Sequence, residues 1–307
     1  MTWRTLSALL ALTLLVACSD PAPEQAAPSA PETDPVATSE PVATDRLPPL
    51  DKPDVLPDWL VYPGSLPVLP EPKVHRPDSA PVAGATPGPR LAIVMDDLGH
   101  SYSHGRRVID LPGPIALALL PQTTFAQRLA REASQAGHTV MLHQPMENGA
   151  GLPIGPGGLY RHTPLEEYAG ILRSNLAELP GVAGINNHMG SLLTADRAAM
   201  DAVMAVLQRK QLFFIDSRTT AATEAAFAAA AADVPHASRQ VFLDHVRDGE
   251  AIARAFAVAL DLARQEGQAI VIGHPYRETL DFLEQALPGL AVREGVELVP
   301  VAELLTY

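Results

Sequence analysis

The chain is 307 residues long, enough for one large domain or two ordinary ones, and it carries a formal net charge of −13. That sign excludes nucleic acid as a partner class, because phosphate binding needs a basic surface. Cys18 is the only cysteine, which excludes an intramolecular disulfide and a thiolate metal cluster alike.

The first eighteen residues read as an address. "MTWRTLSALLALTLLVACSD" has one early arginine, an apolar run from Leu6 to Val16 and a small-residue end at Leu15-Val16-Ala17-Cys18. This ending resembles the bacterial lipobox, in which the cysteine is lipidated and becomes the mature N-terminus. The expectation is a signal peptide over residues 1–18 and a lipoprotein anchored to a membrane through Cys18, facing the periplasm of the cell envelope. The alternative, an uncleaved membrane anchor, suits so short an apolar run poorly. Residues 19–89 are dominated by proline, alanine and acidic residues and bury too little apolar surface to offset ordering, so they read as an extended tether. Within it "DWLVYPGSLPVLP" is more apolar, fitting either a docked segment or a less polar piece of linker.

From residue 90 onward apolar runs alternate with amphipathic stretches. The runs are "LAIVMDD", "IALALLP", "TVMLHQP", "VAGINNH", "LFFIDSR", "QVFLDH", "AIVIGHP" and "VELVPV". Helical spacing marks "TTFAQRLAREASQAG", "TPLEEYAGILRSNLAEL", "TADRAAMDAVMAVLQRKQ" and "DGEAIARAFAVALDLARQEG". Thr163 and Thr194, each followed by acidic residues, read as N-caps of two of them. The alanine-rich "TTAATEAAFAAAAADVP" is a helix by propensity. Such alternation predicts an α/β fold with a parallel sheet, either a closed (β/α) barrel or an open doubly wound sheet. Nearly every strand ends in polar residues: Asp96 and Asp97, Gln122, His143, Asn186 to His188, Asp216, Asp244 with His245, and His274. An open sheet needs functional ends only near its switch point, whereas all strands of a barrel share one mouth. The expectation is an irregular (β/α) barrel of about seven strands over residues 90–307.

Two adjacent carboxylates ending a buried strand cost stability unless a metal ion, an Arg or Lys partner or water at a loop neutralises them. Asp97, His143 and His188 form a ligand set suited to a divalent ion, zinc first, with a position left for water. Glu147, four residues after His143, is a further ligand or a group behind the ligands. His100 and His104 read as surface-loop residues. The Gly/Pro-rich "ENGAGLPIGPGGLY" lacks the strand and helix context of a nucleotide loop and reads as a loop beside the mouth.

The ordered series "DDLG", "GHTVMLHQPME", "GINNHMGS", "FFIDSRT" and "IVIGHP" resembles the divergent polysaccharide deacetylase family, the YibQ-like proteins, distant relatives of the NodB-type carbohydrate esterases. The resemblance runs from Arg90 to the C-terminus. It implies an irregular barrel and metal-assisted amide or ester hydrolysis on envelope sugars. Carried over, Asp96 takes the place of the general base, Asp97 of the metal-binding aspartate, His143 of the first ligand in a His-x-x-x-His motif and His274 of the general acid. Glu147 stands where that motif has its second histidine, and "NNHMGS" replaces an Arg-containing motif.

By the chemistry of the residues themselves, Asp216 is placed to orient His274 and keep it protonated, while Asn186, Asn187 and Ser191 read either as hydrogen-bond donors to sugar hydroxyls or the oxyanion or as turn residues before the helix at Thr194. The function expected is deacetylation of an acetylated envelope glycan such as peptidoglycan. Two other readings remain: a non-catalytic lipoprotein that uses the cleft to bind glycan or a protein partner, and a metal hydrolase for another bond such as a phosphoester.

Overall fold

The computed structural model describes residues 88–307. The lipobox cysteine Cys18 and nearly all of the expected tether lie outside them. Within them the chain alternates strand and helix: β1 (Arg90–Leu98), α1 (Tyr102–Ile109), β2 (Ile115–Leu119), α2 (Ala126–Gln135), β3 (Thr139–Met146), α3 (Leu165–Glu178), β4 (Val182–Met189) and α4 (Arg197–Lys210). It continues with β5 (Phe213–Asp216), α5 (Ala225–Ala231), β6 (His236–Ser238), β7 (Val241–Phe242), α6 (Gly249–Glu266) and β8 (Gln268–Gly273). The last elements are α7 (Arg277–Ala286), α8 (Leu290–Glu294), β9 (Glu297–Leu298) and a terminal 3-10 turn, Val301–Leu304.

All the strand pairings are parallel, in the order β6-β5-β4-β3-β2-β1-β8-β7, with β9 added beside β1. The two edges of this curled sheet, β6 and β7, are consecutive in the chain. Arg239 and Gln240 join them: the Arg239 N–H donates to the Asp216 carbonyl on one side, and the Gln240 N–H to the Ile270 carbonyl on the other. An irregular (β/α) barrel results, closed by the chain itself where the strands are shortest.

Alternation along each strand sorts the apolar side chains into two layers. Leu91, Ile93, Met95, Val140, Leu142, Ile185, Phe214, Val241 and Val271 pack outward against the helices. Ala92, Val94, Ala116, Ala118, Met141, Phe213, Ile215, Ile270 and Ile272 fill the interior, where Val301 and Leu304 of the 3-10 turn join them. Interior residues are small beside large ones for packing reasons. A Cβ on Gly184 would lie 2.3 Å from the Phe213 ring, which occupies that space instead.

The expected barrel stands, with nine strands in its sheet among the described residues; β6, an edge strand of three residues, is the one without a counterpart among the eight apolar runs. Two other expectations need correction. Neither threonine caps a helix: α3 begins after Pro164, and the Asp196 side chain accepts from the Ala199 N–H at the start of α4. His104 belongs to the first turns of α1 rather than to a loop, with Ser101 as the cap.

Candidate metal centre

The interior layer leads straight to the mouth. Counting by twos, Ala92 and Val94 lead to Asp96, Met141 to His143, Gly184 to Asn186 and His188, Ile272 to His274, and Phe242 to Asp244. Asp97 has the wrong parity and should point into the helix layer. It does not, because the register of β1 against β2 shifts between Met95 and Leu98, and Asp97 sits at φ 55°. This bulge turns a second carboxylate toward the mouth. Aspartate tolerates the left-handed region better than most residues.

Asp97, His143 and His188 converge. Asp97 Oδ1 lies 2.8 Å from His188 Nδ1 and 3.2 Å from His143 Nε2, and the two ring nitrogens are 3.2 Å apart. Tetrahedral coordination with bonds of about 2.0–2.1 Å sets ligand atoms roughly 3.3 Å apart, so the triangle has the size such an ion requires. Asp97 Oδ1 is also buried without a hydrogen bond of acceptable geometry. Donor set, spacing and the orphaned oxygen all fit a divalent cation.

The tautomer of His143 follows from its neighbours. Asn186 donates its amide N–H to Asp96 Oδ1 at 2.7 Å and to Ser217 Oγ at 3.2 Å, which fixes the amide orientation. Its Oδ1 therefore accepts from His143 Nδ1 at 2.8 Å. His143 Nε2 is left with its lone pair facing Asp97 and His188, as a ligating imidazole needs.

Asp96 and His274 flank the triangle. Asp96 Oδ2 is 3.6 Å from His143 Nε2, and His274 Nε2 is 3.9 Å from Asp97 Oδ2. Burial pushes the Asp96 carboxyl up, against the pull of the His143 and His274 charges and the Asn186 amide. For Asp97 burial works in the same sense, but the His143 and His188 imidazoles packed against it outweigh burial and hold the carboxyl well below the usual range. Burial opposes protonation of His274; Asp244, with Asp96 and Asp97, overcomes that and raises it to about 8.

Several sequence expectations fail on geometry. Asp216 does not hold His274. It has the outward parity of Phe214, and its oxygens accept from the Arg218 N–H and the Thr223 hydroxyl. The orienting carboxylate is Asp244: Oδ1 is 2.9 Å from His274 Nδ1, and Oδ2 accepts from the His274 backbone and from Thr279 Oγ1. The alternation in "QVFLDH" carries that signal, but only once the inward face is known.

Glu147 is not part of the cluster. Four residues along a strand span about 13 Å, and Glu147 instead accepts from the Arg161 N–H at 2.6 Å. Asn186 is spent on Asp96 and His143. Asn187 points outward, accepting from the Ser217 N–H and donating to the Met189 carbonyl. Ser191 accepts from the Gly149 N–H, tying the glycine-rich loop to the turn after β4.

Paired aspartates, two imidazoles that could hold a metal and a carboxylate-held histidine thus gather at one mouth of a parallel barrel. Residues 93–305 match the family model of the divergent polysaccharide deacetylases, and the chain belongs to that family. It is 37% identical over 216 residues to the uncharacterized protein YibQ of Escherichia coli K12, covering 70% of this chain and 67% of that one. An uncharacterized protein of Haemophilus influenzae Rd is 33% identical over 215 residues, covering 70% and 76%. Among solved structures, the uncharacterized protein ATU2773 of Agrobacterium tumefaciens C58 aligns with a TM-score of 0.68 at 27% identity, over 72% of this chain and 91% of that one.

Proposed function

We propose that the protein is a metal-dependent carbohydrate deacetylase, cleaving N- or O-acetyl groups from an envelope polysaccharide such as peptidoglycan. The observation that carries this reading is the placement of Asp96 and His274 on either side of the Asp97–His143–His188 triangle. His188 also answers the departure at Glu147: a second imidazole reaches the cluster from β4, so the ligand set is complete without it. A divalent ion there, zinc in this proposal, supplies Lewis acidity toward an acyl carbonyl and the charge that acidifies water.

The chain's own groups divide the remaining work. Asp96 has one oxygen engaged by Asn186, and the other faces the triangle, where it accepts a proton from the attacking water. As the acyl C–N or C–O bond breaks, His274 donates its proton to the leaving nitrogen or oxygen, and acetate departs. Asp244 holds His274 through Nδ1, so Nε2 is the atom that faces the site. The lipobox of Cys18 supports a periplasm-facing, membrane-anchored location, where such a glycan is found.

The test is acetate release from acetylated glycan by the zinc-loaded protein. Asp96→Asn keeps the hydrogen bond to Asn186 within reach but removes the base, so turnover should fall by about 10²–10⁴-fold with zinc retained. Glycan binding without acetate from any acetylated sugar tested would overturn the catalytic reading in favour of a glycan-binding one.

A further inference from the structure

Beside β1 and β8 the mouth opens into a cavity of about 390 Å³. Asp97 forms part of its wall, so the cavity is continuous with the ligand triangle; Gly99, His104, Arg247, Tyr276 and Glu278 contribute elsewhere. Tyr276 stacks on His274, with ring centroids 5.4 Å apart and planes at 25°. The Arg247 guanidinium lies 3.6 Å over the Tyr276 ring. With the cation directly over it, this ring is no open platform for a sugar. What the stack presents to the cavity is the guanidinium.

Stacking uses the face of a guanidinium; even with one N–H of Arg247 turned to the Tyr276 hydroxyl, others in the plane are left to donate, and their fork matches a carboxylate. Among the described residues no carboxylate lies within ion-pairing distance of Arg247. Arg277 on the same wall pairs with Asp281, and Arg107, Arg128 and Arg264 on the outer helices are likewise paired. Arg131, Arg173 and Arg209 have no acid within ion-pairing distance either, so what sets exposed Arg247 apart in this chain of net charge −13 is its seat on a ring beside the site, where an anion from outside can meet it. The wall's own carboxylates do not compete for it. Asp97 is committed to His143 and His188, and Glu278 stands in the first turn of α7, where it complements the helix dipole.

We infer that this cavity is a subsite for a carboxylate carried by the glycan itself, gripped by Arg247, so that the substrate is an acidic acylated sugar rather than a neutral one. The inference deepens the deacetylase reading and rests on it. Because Asp97 belongs to both cavity and triangle, the carboxylate and the acyl group fall on the same sugar or on adjacent ones.

Calorimetry on the full-length, zinc-loaded chain tests it with two tetrasaccharides of equal length. One is neutral N-acetylchitotetraose; the other alternates N-acetylglucosamine with N-acetylmuramic acid, whose lactyl groups supply carboxylates. The acidic probe should bind about tenfold more tightly, the effect of one charge-assisted pair at a partly exposed site. Raised salt should narrow the ratio. Arg247→Gln should bring it toward one, and Arg247→Lys, which keeps charge but loses the planar fork, should restore only part.

Equal affinity for the two probes, a preference that survives Arg247→Gln, or no binding of the acidic probe would each overturn the subsite. Acetate is scored separately in the same samples. A preference without acetate release upholds the subsite and removes the deacetylase reading; acetate release without preference does the reverse.

Discussion

Replacing Asn186 by alanine removes three hydrogen bonds at once, because this buried amide joins Asp96, Ser217 and His143. Two of the partners are ionisable and fully enclosed. A hydrogen bond to a charged group contributes about 1.5–3 kcal/mol, and a buried polar group left without a partner costs about 1–3 kcal/mol. The partners share one amide and the losses are not additive, so about 2–5 kcal/mol of folding stability is expected to go. For a domain of this size each kcal/mol is about 2–4 °C in Tm, an effect well outside thermal-melt error.

The second consequence is on the ion. Without the Asn186 carbonyl to accept from Nδ1, nothing fixes the His143 tautomer, and zinc affinity should fall about 10–100-fold. Competition against a chromophoric chelator measures the affinity, and thermal unfolding with excess chelator measures the stability without the ion's contribution. If zinc affinity is unchanged and KM for glycan rises instead, Asn186 is a sugar contact as its sequence context suggests, and the reasoning from the hydrogen-bond network is refuted.

Asp244→Asn removes the chief partner that keeps His274 protonated. In the chelated protein the pair stabilises the fold below pH 6.5, and that stability is lost as pH rises through about 8. Urea midpoints across this window should show the loss in the parent and flatten in Asp244→Asn, but not in Asp216→Asn, whose oxygens face Arg218 and Thr223. Gly99→Ala places a Cβ 2.0 Å from Thr123 Oγ1 at a φ of +122°. The backbone strain alone should cost about 1–3 kcal/mol, and an unchanged urea midpoint would contradict the geometry of the turn after the paired aspartates. Cys18→Ser should leave the chain unlabelled by radioactive palmitate in cells; undiminished labelling would end the lipoprotein reading.

The architecture was legible because its strands announce themselves as apolar runs between helices, and the barrel because those runs end in polar residues. No expectation covers β6, with three half-buried residues, or the helices α1, α7 and α8, of ten residues or fewer. Tertiary context makes β6 and α1. β6 forms because β5 offers an edge, and α1 because it caps the turn that Gly99 permits.

The exchange of Asp216 for Asp244 has one source, the two-residue period of a strand. Asp216 and Asp244 both end a run such as "FFID" or "VFLD", and from sequence alone either can face inward. The deciding fact is which of Phe213 and Phe214 enters the barrel. Phe213 does, so Asp216 turns away; Phe242 shares the inward parity, so Asp244 meets His274. Asp96 and Asp97 pose the opposite problem. Parity forbids them to share a face, yet both do, because a bulge with a non-glycine residue at positive φ overrides the alternation. Such strain persists only where the surroundings over-determine it. Here they do: His143 and His188 hold the displaced carboxylate from one side and His274 approaches it from the other. The bulge is thus the point at which the fold gives up strand regularity to seat one carboxylate among the ligands and the other beside them.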